Sequence, residues 1–367
     1  MALRTLSGKH ADARKGRGAG VNPEGRFEQV ERVAFDDGWE SAAHEEERAL
    51  KTVITDERAK SILSRNDSPD IPFTQSINPY QGCEHGCIYC YARPSHAYRN
   101  LSPGVDFETR IFAKVNAAEL LRAELSKPGY RCERIALGAN TDPYQPAERA
   151  RRITRGILEV CAEFNQPVGI VTKNALVERD IDLLAPLAAR GLAAVFVSVT
   201  TQDPELARRM EPRCSAPARR LQAVRALSQA GIPTGVMVAP VVPFLNDHEI
   251  EALVAAAAEH GAQRAAWILM RLPYEVKGLF RDWLQRHYPL KAAHVMSRVQ
   301  QLRGGRDNDP DFGSRMRGEG ELAQLIGRRF DVACKKAGLN QARRGEGMRC
   351  NTTLFRVPGA AKQGSLF

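Results

Sequence analysis

Three cysteines stand close together in GCEHGCIYCYA: Cys83, Cys87 and Cys90, spaced C-x3-C-x2-C. Three thiolates on one loop can wrap a single metal centre. Structural zinc takes four tetrahedral ligands, usually from pairs of the C-x2-C kind, and the second pair is missing here. His85, inside the same loop, could complete a zinc site, which would make the chain a zinc-stabilised nucleic-acid-binding module without catalysis. An iron–sulfur cluster ordinarily takes four cysteines. Three would leave one iron without a protein ligand, and an incomplete coordination sphere is where a metal centre receives a substrate. The other cysteines, Cys132, Cys161, Cys214, Cys334 and Cys350, are scattered and read as small buried hydrophobes or inert thiols.

The elements around this loop must place it. From about residue 52 the chain alternates apolar runs with helical spacing. The runs lie before Pro79 and at 134–138, 167–173, 192–199, 232–241 and 265–272. Helical apolar spacing appears at 115–126, 148–164, 179–190, 215–230 and 247–260. Strands that are apolar throughout, separated by helices, indicate a parallel sheet covered by helices. The fold expected is α/β: a partial (β/α) barrel of about six parallel strands, with a helical C-terminal extension and disordered basic tails. A doubly wound sheet is the alternative. The expected divisions are a disordered segment over 1–50, the barrel over 51–275, the helical extension over 276–340 and a flexible tail over 341–367. In a barrel, chemistry gathers at the carboxyl ends of the strands, and the cysteine loop follows the first of them.

The triplet with Tyr89 as its aromatic, C-x3-C-x-aromatic-C after the first strand of a β/α array, resembles the signature of the radical S-adenosylmethionine (SAM) superfamily. Within it, NPYQGCEHGCIYCYAR, LGANTDPYQPAE and VTKN are most similar to the spore photoproduct lyase-like branch. The resemblance implies a 4Fe-4S cluster on Cys83, Cys87 and Cys90, with SAM on the unique iron. Reductive cleavage would then yield a 5′-deoxyadenosyl radical that takes a hydrogen from the substrate. It also implies SAM contacts at the strand ends. Asn140, Thr141 and Asp142 close the second strand and are candidates for the SAM amino group. Thr172 and Lys173 close the third, facing ribose or carboxylate, and Ser198 closes the fourth, facing ribose. Arg213 is a candidate for the carboxylate, and Ala239 and Tyr89 for adenine. Lesion-repairing lyases of this branch carry a hydrogen-donating cysteine beside the second-strand segment. Asn140 stands there instead, so the lyase reaction itself is not expected. Tyr144 is the candidate donor or a pocket-lining residue, and Asp142 the other catalytic candidate.

Charge and composition bound the partners. The chain has 367 residues, 43% hydrophobic and 26% charged, and a net charge of +10. Most of the excess sits in the two ends, with Arg4, Lys9, Arg14, Lys15, Arg17 and Arg26 in one and Arg343, Arg344, Arg349, Arg356 and Lys362 in the other. Basic ends suit a polyanion, and nucleic acid is the expected partner. The final QGSLF resembles the peptide that docks bacterial repair and replication proteins on the sliding clamp, through Gln363, Leu366 and Phe367. A flavodoxin- or ferredoxin-type reductant is implied. No apolar run is long enough to span a membrane, and the N-terminal residues lack the apolar core of a secretory signal. A cytoplasmic location, where thiols stay reduced, is expected.

Overall fold

The structure is a computed structural model and describes residues 16–27, 50–341 and 350–359. Ten strands form among these residues: β1 (Val53–Glu57), β2 (Leu63–Arg65), β3 (Gln75–Ile77), β4 (Tyr80–Gln81), β5 (Arg110–Lys114), β6 (Ile135–Leu137), β7 (Val168–Thr172), β8 (Ala193–Ser198), β9 (Thr234–Val241) and β10 (Arg264–Leu269). Six of them, β3, β6, β7, β8, β9 and β10, pair in parallel in chain order, and β2 adds antiparallel to β3. These six are the expected strands, and the sheet is an open, partial barrel. Their side chains are buried because helices cover them, as for Ile135–Leu137 and the helix Ile153–Phe164. A small second sheet, β1–β5–β4, was not legible: VITDE and RIFAK mix apolar with charged residues, and β4 has only two residues. The helix Pro204–Met210 was also missed, although its start signals are present. Asp203 Oδ1 accepts from the amides of Glu205 (2.8 Å) and Leu206 (3.3 Å), and Pro204 opens the helix.

The C-terminal helices Val276–His287, Pro289–Gln301 and Gly320–Lys336 lie where expected. The first two do more than extend the chain. With Ile88 and Tyr89 of the cysteine loop, and with Met210 and Met270, they build a second hydrophobic core around Trp283. No helix among the described residues is long and apolar enough to cross a membrane.

Both ends depart from the disordered-tail expectation wherever they are described. Ala19 is buried, and the amides of Gly18 and Ala19 donate to the Glu108 carboxylate at 3.0 and 2.8 Å. Phe355 packs against Tyr130 with the rings tilted and centroids 5.3 Å apart, and Asn165 Nδ2 donates to the Leu354 carbonyl at 3.0 Å. The hydrophilic composition of 1–50 hid a short segment attached both by these amides and by side chains, with Arg17 Nη1 donating to the Glu108 carbonyl (2.9 Å) and Asn22 Nδ2 to Asp106 Oδ1 (3.0 Å). Gln363, Leu366 and Phe367 lie outside the described residues.

Glu108 joins this segment to the cysteine loop through Arg93. Both side chains are fully buried and 2.5 Å apart. Arg93 Nε donates to the Cys87 carbonyl (2.9 Å), Nη1 to those of Pro103 (3.1 Å) and Gly104 (2.9 Å), and Nη2 to that of Gly86 (3.1 Å) and to Glu108. Every guanidinium donor is therefore used. Gly86 has φ 66° and a Cβ there would meet Glu108 Oε2 at 2.7 Å, so the close approach requires glycine. Removing one member of a buried pair strands the other charge. Arg93→Ala is expected to cost about 3–5 kcal/mol in urea unfolding. Arg93→Lys should recover little of it, since an ammonium cannot reproduce the planar fork.

Candidate functional site

The loop after β4 carries the three thiols. Cys83 and Cys87 are buried and Cys90 nearly so, and all three are free thiols. Backbone bonds fold the loop: the Cys90 amide donates to the Cys87 carbonyl (3.2 Å), that of Cys83 to Phe107 (2.9 Å) and that of Ile88 to Met210 (3.0 Å). Burial, with the Cys87 and Cys83 thiols beside it, pushes the Cys90 thiol up to about 12. Cys214 sits against the triplet, its Sγ 3.8 Å from Cys87 Sγ. This contact holds Cys87 below the ordinary thiol range, while burial and Cys87 hold Cys214 well above it. The scattered position of Cys214 in the chain gave no hint of this contact, and Cys214 also packs as a partly buried apolar group against the second core.

His85 does not turn outward to a metal. It is buried, with Nδ1 3.3 Å from Asp142 Oδ2 and Nε2 3.2 Å from Asn174 Nδ2. Burial opposes charging it, but Asp142 and Cys83 outweigh burial and raise its pKa well above the ordinary value. Both ring nitrogens are engaged. No three His, Cys, Asp or Glu side chains among the described residues converge as ligands of one metal ion. The loop is not built as the mononuclear zinc site of the alternative reading.

Asp142 is a strut. Its carboxylate accepts from the Tyr144 amide (2.8 Å), Thr172 Oγ1 (2.7 Å), the Lys173 amide (2.7 Å) and His85. Burial would raise its pKa, yet His85 and these donors hold it below the ordinary range. It ties the exit of β6 to that of β7 and to the cysteine loop, and its oxygens are occupied. Asn140 and Thr141 are fixed by their amides on Asn78 Oδ1 (3.0 and 3.4 Å), and Thr141 Oγ1 donates to the Tyr80 carbonyl at 2.7 Å. Gly138, φ 88°, lets β6 approach β7, because a Cβ would lie 2.1 Å from the Val171 carbonyl oxygen.

A second network centres on Glu211. Its carboxylate accepts from Thr200 Oγ1 (2.6 Å), Arg220 Nη2 (2.5 Å) and the Tyr89 hydroxyl, and Lys173 Nζ lies 3.6 Å away. Lys173 Nζ also donates to the Ala239 carbonyl (3.3 Å) and stands 5.8 Å from the Tyr89 ring centroid. The Ser198 carbonyl accepts from Arg220 Nη1 at 3.1 Å. Thus Tyr89, Lys173, Ser198 and Ala239 converge from four elements, and Glu211 and Arg220, which sequence reasoning did not select, are what bring them together. The signal available was the Glu-Pro-Arg run after the fourth strand, from which Arg213 was chosen. Arg213 meets Glu84 (3.4 Å) and Thr52 (3.1 Å) beside the loop instead.

Tyr144 does not reach this assembly. It is fully buried in the main core, with the Arg179 guanidinium 5.9 Å from its ring. Its ring packs in the core although its chain neighbours are polar residues and prolines, and its reading as a hydrogen donor is corrected. Tyr91, directly after Cys90, is 48% exposed.

The family model described as "Radical SAM superfamily" matches residues 77–257. An uncharacterised protein of Mycobacterium tuberculosis is 39% identical over 246 residues, covering 66% of this chain and 71% of the relative. One of Methanocaldococcus jannaschii is 27% identical over 192 residues, covering 52% and 69%. The chain belongs to the radical SAM superfamily. Its fold is shared with solved structures of spore photoproduct lyase. A cysteine-to-serine mutant superposes with TM-score 0.56 at 17% identity over 85% of this chain and 86% of that one. The complex with dinucleoside spore photoproduct gives 0.54 at 17% over 78% and 80%. As a radical SAM protein it uses a 4Fe-4S cluster and SAM. The donor set fits: three thiols free of disulfides on one clamped loop, two buried and the third partly so, beside an assembly of strand-end carbonyls and one lysine.

Burial would raise Glu211, but Arg220, Lys173 and the hydroxyl donors bring it from its ordinary 4.5 to about 2. A carboxylate with a depressed folded-state pKa stabilises the fold above its unfolded pKa, and that contribution is lost as pH falls through the folded value. Glu211→Gln is expected to be less stable at neutral pH, with the gap from the unmodified protein narrowing between pH 4.5 and about 2. Denaturation midpoints across that window measure it.

Proposed function

We propose that Cys83, Cys87 and Cys90 hold the cluster, and that the chain is a radical SAM enzyme acting on nucleic acid. The observation that carries the cluster assignment is the clamped loop itself. A 4Fe-4S cluster takes one thiolate per iron. Three thiolates from the loop would hold three irons and leave the fourth for SAM, with Cys214 in contact with Cys87. When bound, the cluster and SAM supply one-electron cleavage to a 5′-deoxyadenosyl radical and hydrogen abstraction from the substrate. The protein's part is to bind, orient and exclude water. Lys173, with Nζ donors toward the strand ends, neutralises the SAM carboxylate or bonds its ribose. The Thr141 and Asn140 segment presents backbone carbonyls to the SAM amino group. Ala239 and Tyr89 flank the adenine, and Ser198 the ribose. Asp142 and Glu211 act as positioning residues behind them.

Support for the substrate class comes from the +10 charge and from the fold shared with an enzyme solved with a dinucleoside ligand. Asn140 replaces the donor cysteine of that branch, so a different outcome from lesion cleavage is proposed. The electron comes from a flavodoxin- or ferredoxin-type protein, in the cytoplasm, and the final five residues dock a sliding clamp.

Anaerobic reconstitution should give a brown protein with about four irons, and Cys83→Ala or Cys90→Ala should lose most of that iron while keeping the helical circular dichroism. With dithionite and SAM, release of 5′-deoxyadenosine should rise several-fold on adding DNA or RNA. Absence of stimulation by single strands and duplexes alike would sink the nucleic-acid reading and leave the radical SAM assignment standing. Once Cys87 ligates iron it carries no proton, so the hydrogen between the two sulfurs belongs to Cys214. Hydrogen bonds to ligand sulfur raise cluster potentials by easing reduction. Cys214→Ala is expected to keep full iron content and lower the midpoint potential in an EPR-monitored titration.

A further inference from the structure

Arg271 stands two residues beyond the end of β10, and its guanidinium carbon lies 5.7 Å from the Tyr91 ring centroid. Tyr91 follows Cys90 and donates its hydroxyl to the Ala139 carbonyl, just past β6. β10 and β3 are the outer members of the parallel array. The Tyr91–Arg271 contact therefore links the exit of β10 to the cysteine loop and, through Ala139, to the exit of β6.

Arg271 has no carboxylate ion-pair partner among the described residues. Its Nε is buried with no hydrogen-bond partner, and Nη1 meets only the Met316 sulfur at 3.9 Å. Arg315, beside it, is engaged by Asp70 (2.5 Å) and Ser68 (2.7 Å). Arg303 is buried, with its Nη donors on the carbonyls of Met270, Ser314 and Arg315. Burial and the Arg315 charge depress Arg271 below the ordinary arginine range, against the opposing pull of Asp70 and Asp309. A half-buried guanidinium with an unfilled donor and no carboxylate within ion-pair distance gains from an incoming oxyanion.

We propose that Arg271 receives a backbone phosphate of a single-stranded nucleic-acid substrate while the exposed ring of Tyr91 stacks on the adjoining base. The inference rests on the nucleic-acid reading above. The pairing of an aromatic face with an unpaired guanidinium selects this class, because a nucleotide offers a π-face and a phosphate a few ångströms apart. A small carboxylate would leave the ring exposed.

The probe is a fluorescein-labelled oligothymidylate of about 12 nucleotides, within the ~4–16 nucleotide range of single-strand sites, followed by anisotropy with the full, reconstituted chain. Arg271→Gln should weaken binding about tenfold and reduce the salt slope by ~0.7, one phosphate contact on a single strand. Tyr91→Ala should weaken it about tenfold with the slope unchanged, the loss of one stacked base. Tyr91→Phe should bind as the unmodified protein, and Arg271→Lys should keep the slope. Iron content and melting temperature verify that each variant is folded and loaded. Unchanged affinity in both Arg271→Gln and Tyr91→Ala would overturn the inference while nucleic-acid-stimulated SAM cleavage stood. No binding by the unmodified protein at ~100 μM, the weak end of nonspecific affinities, would overturn it together with the substrate class.

Discussion

The site depends on one buried ion pair. Arg93 and Glu108 are both without solvent exposure, and between them they satisfy the backbone on either side of the thiol loop. Burying two charges is unfavourable unless every remaining donor and lone pair finds a partner. Here the guanidinium donors all do, and the partners are mostly loop carbonyls. The geometry of the three thiols is thus held by groups that never touch a cofactor. The same carboxylate captures residues 18 and 19, so the N-terminal segment closes over the loop from outside.

Two further carboxylates do comparable work inside the barrel. Asp142 connects the exits of β6 and β7 to His85, and Glu211 connects Tyr89, Thr200, Lys173 and Arg220. Each is buried, ionised and saturated with donors. Such networks are rigid because any movement would strand a charge in a low-dielectric interior. They set the positions of strand-end groups that contribute little binding energy alone. Lys173 belongs to both, through its amide and its ammonium, and so couples the cysteine loop to the far strands.

How much of this was legible follows from the range of the interactions. The six parallel strands could be read because each is an apolar run bounded by helical spacing, a local property. The thiol triplet could be read because its members share one loop. Tyr144 was misplaced because an aromatic near a strand end looks the same whether it faces the mouth or the helices. Cys214 lies 127 residues from Cys87 in the chain and Arg271 farther still from Tyr91, and nothing local marks either contact.

From its residues alone this chain determined a β/α array, three cysteines gathered on one loop and the superfamily to which that spacing belongs. Spacing along the chain is a sufficient record of period and of ligands that share a turn. Only the tertiary structure decided which carboxylates are struts, which thiol leans on the triplet, and which arginine is left without an anion. Those are properties of burial and of neighbours brought together from distant segments, and a buried charge is defined by its surroundings rather than by its place in the sequence.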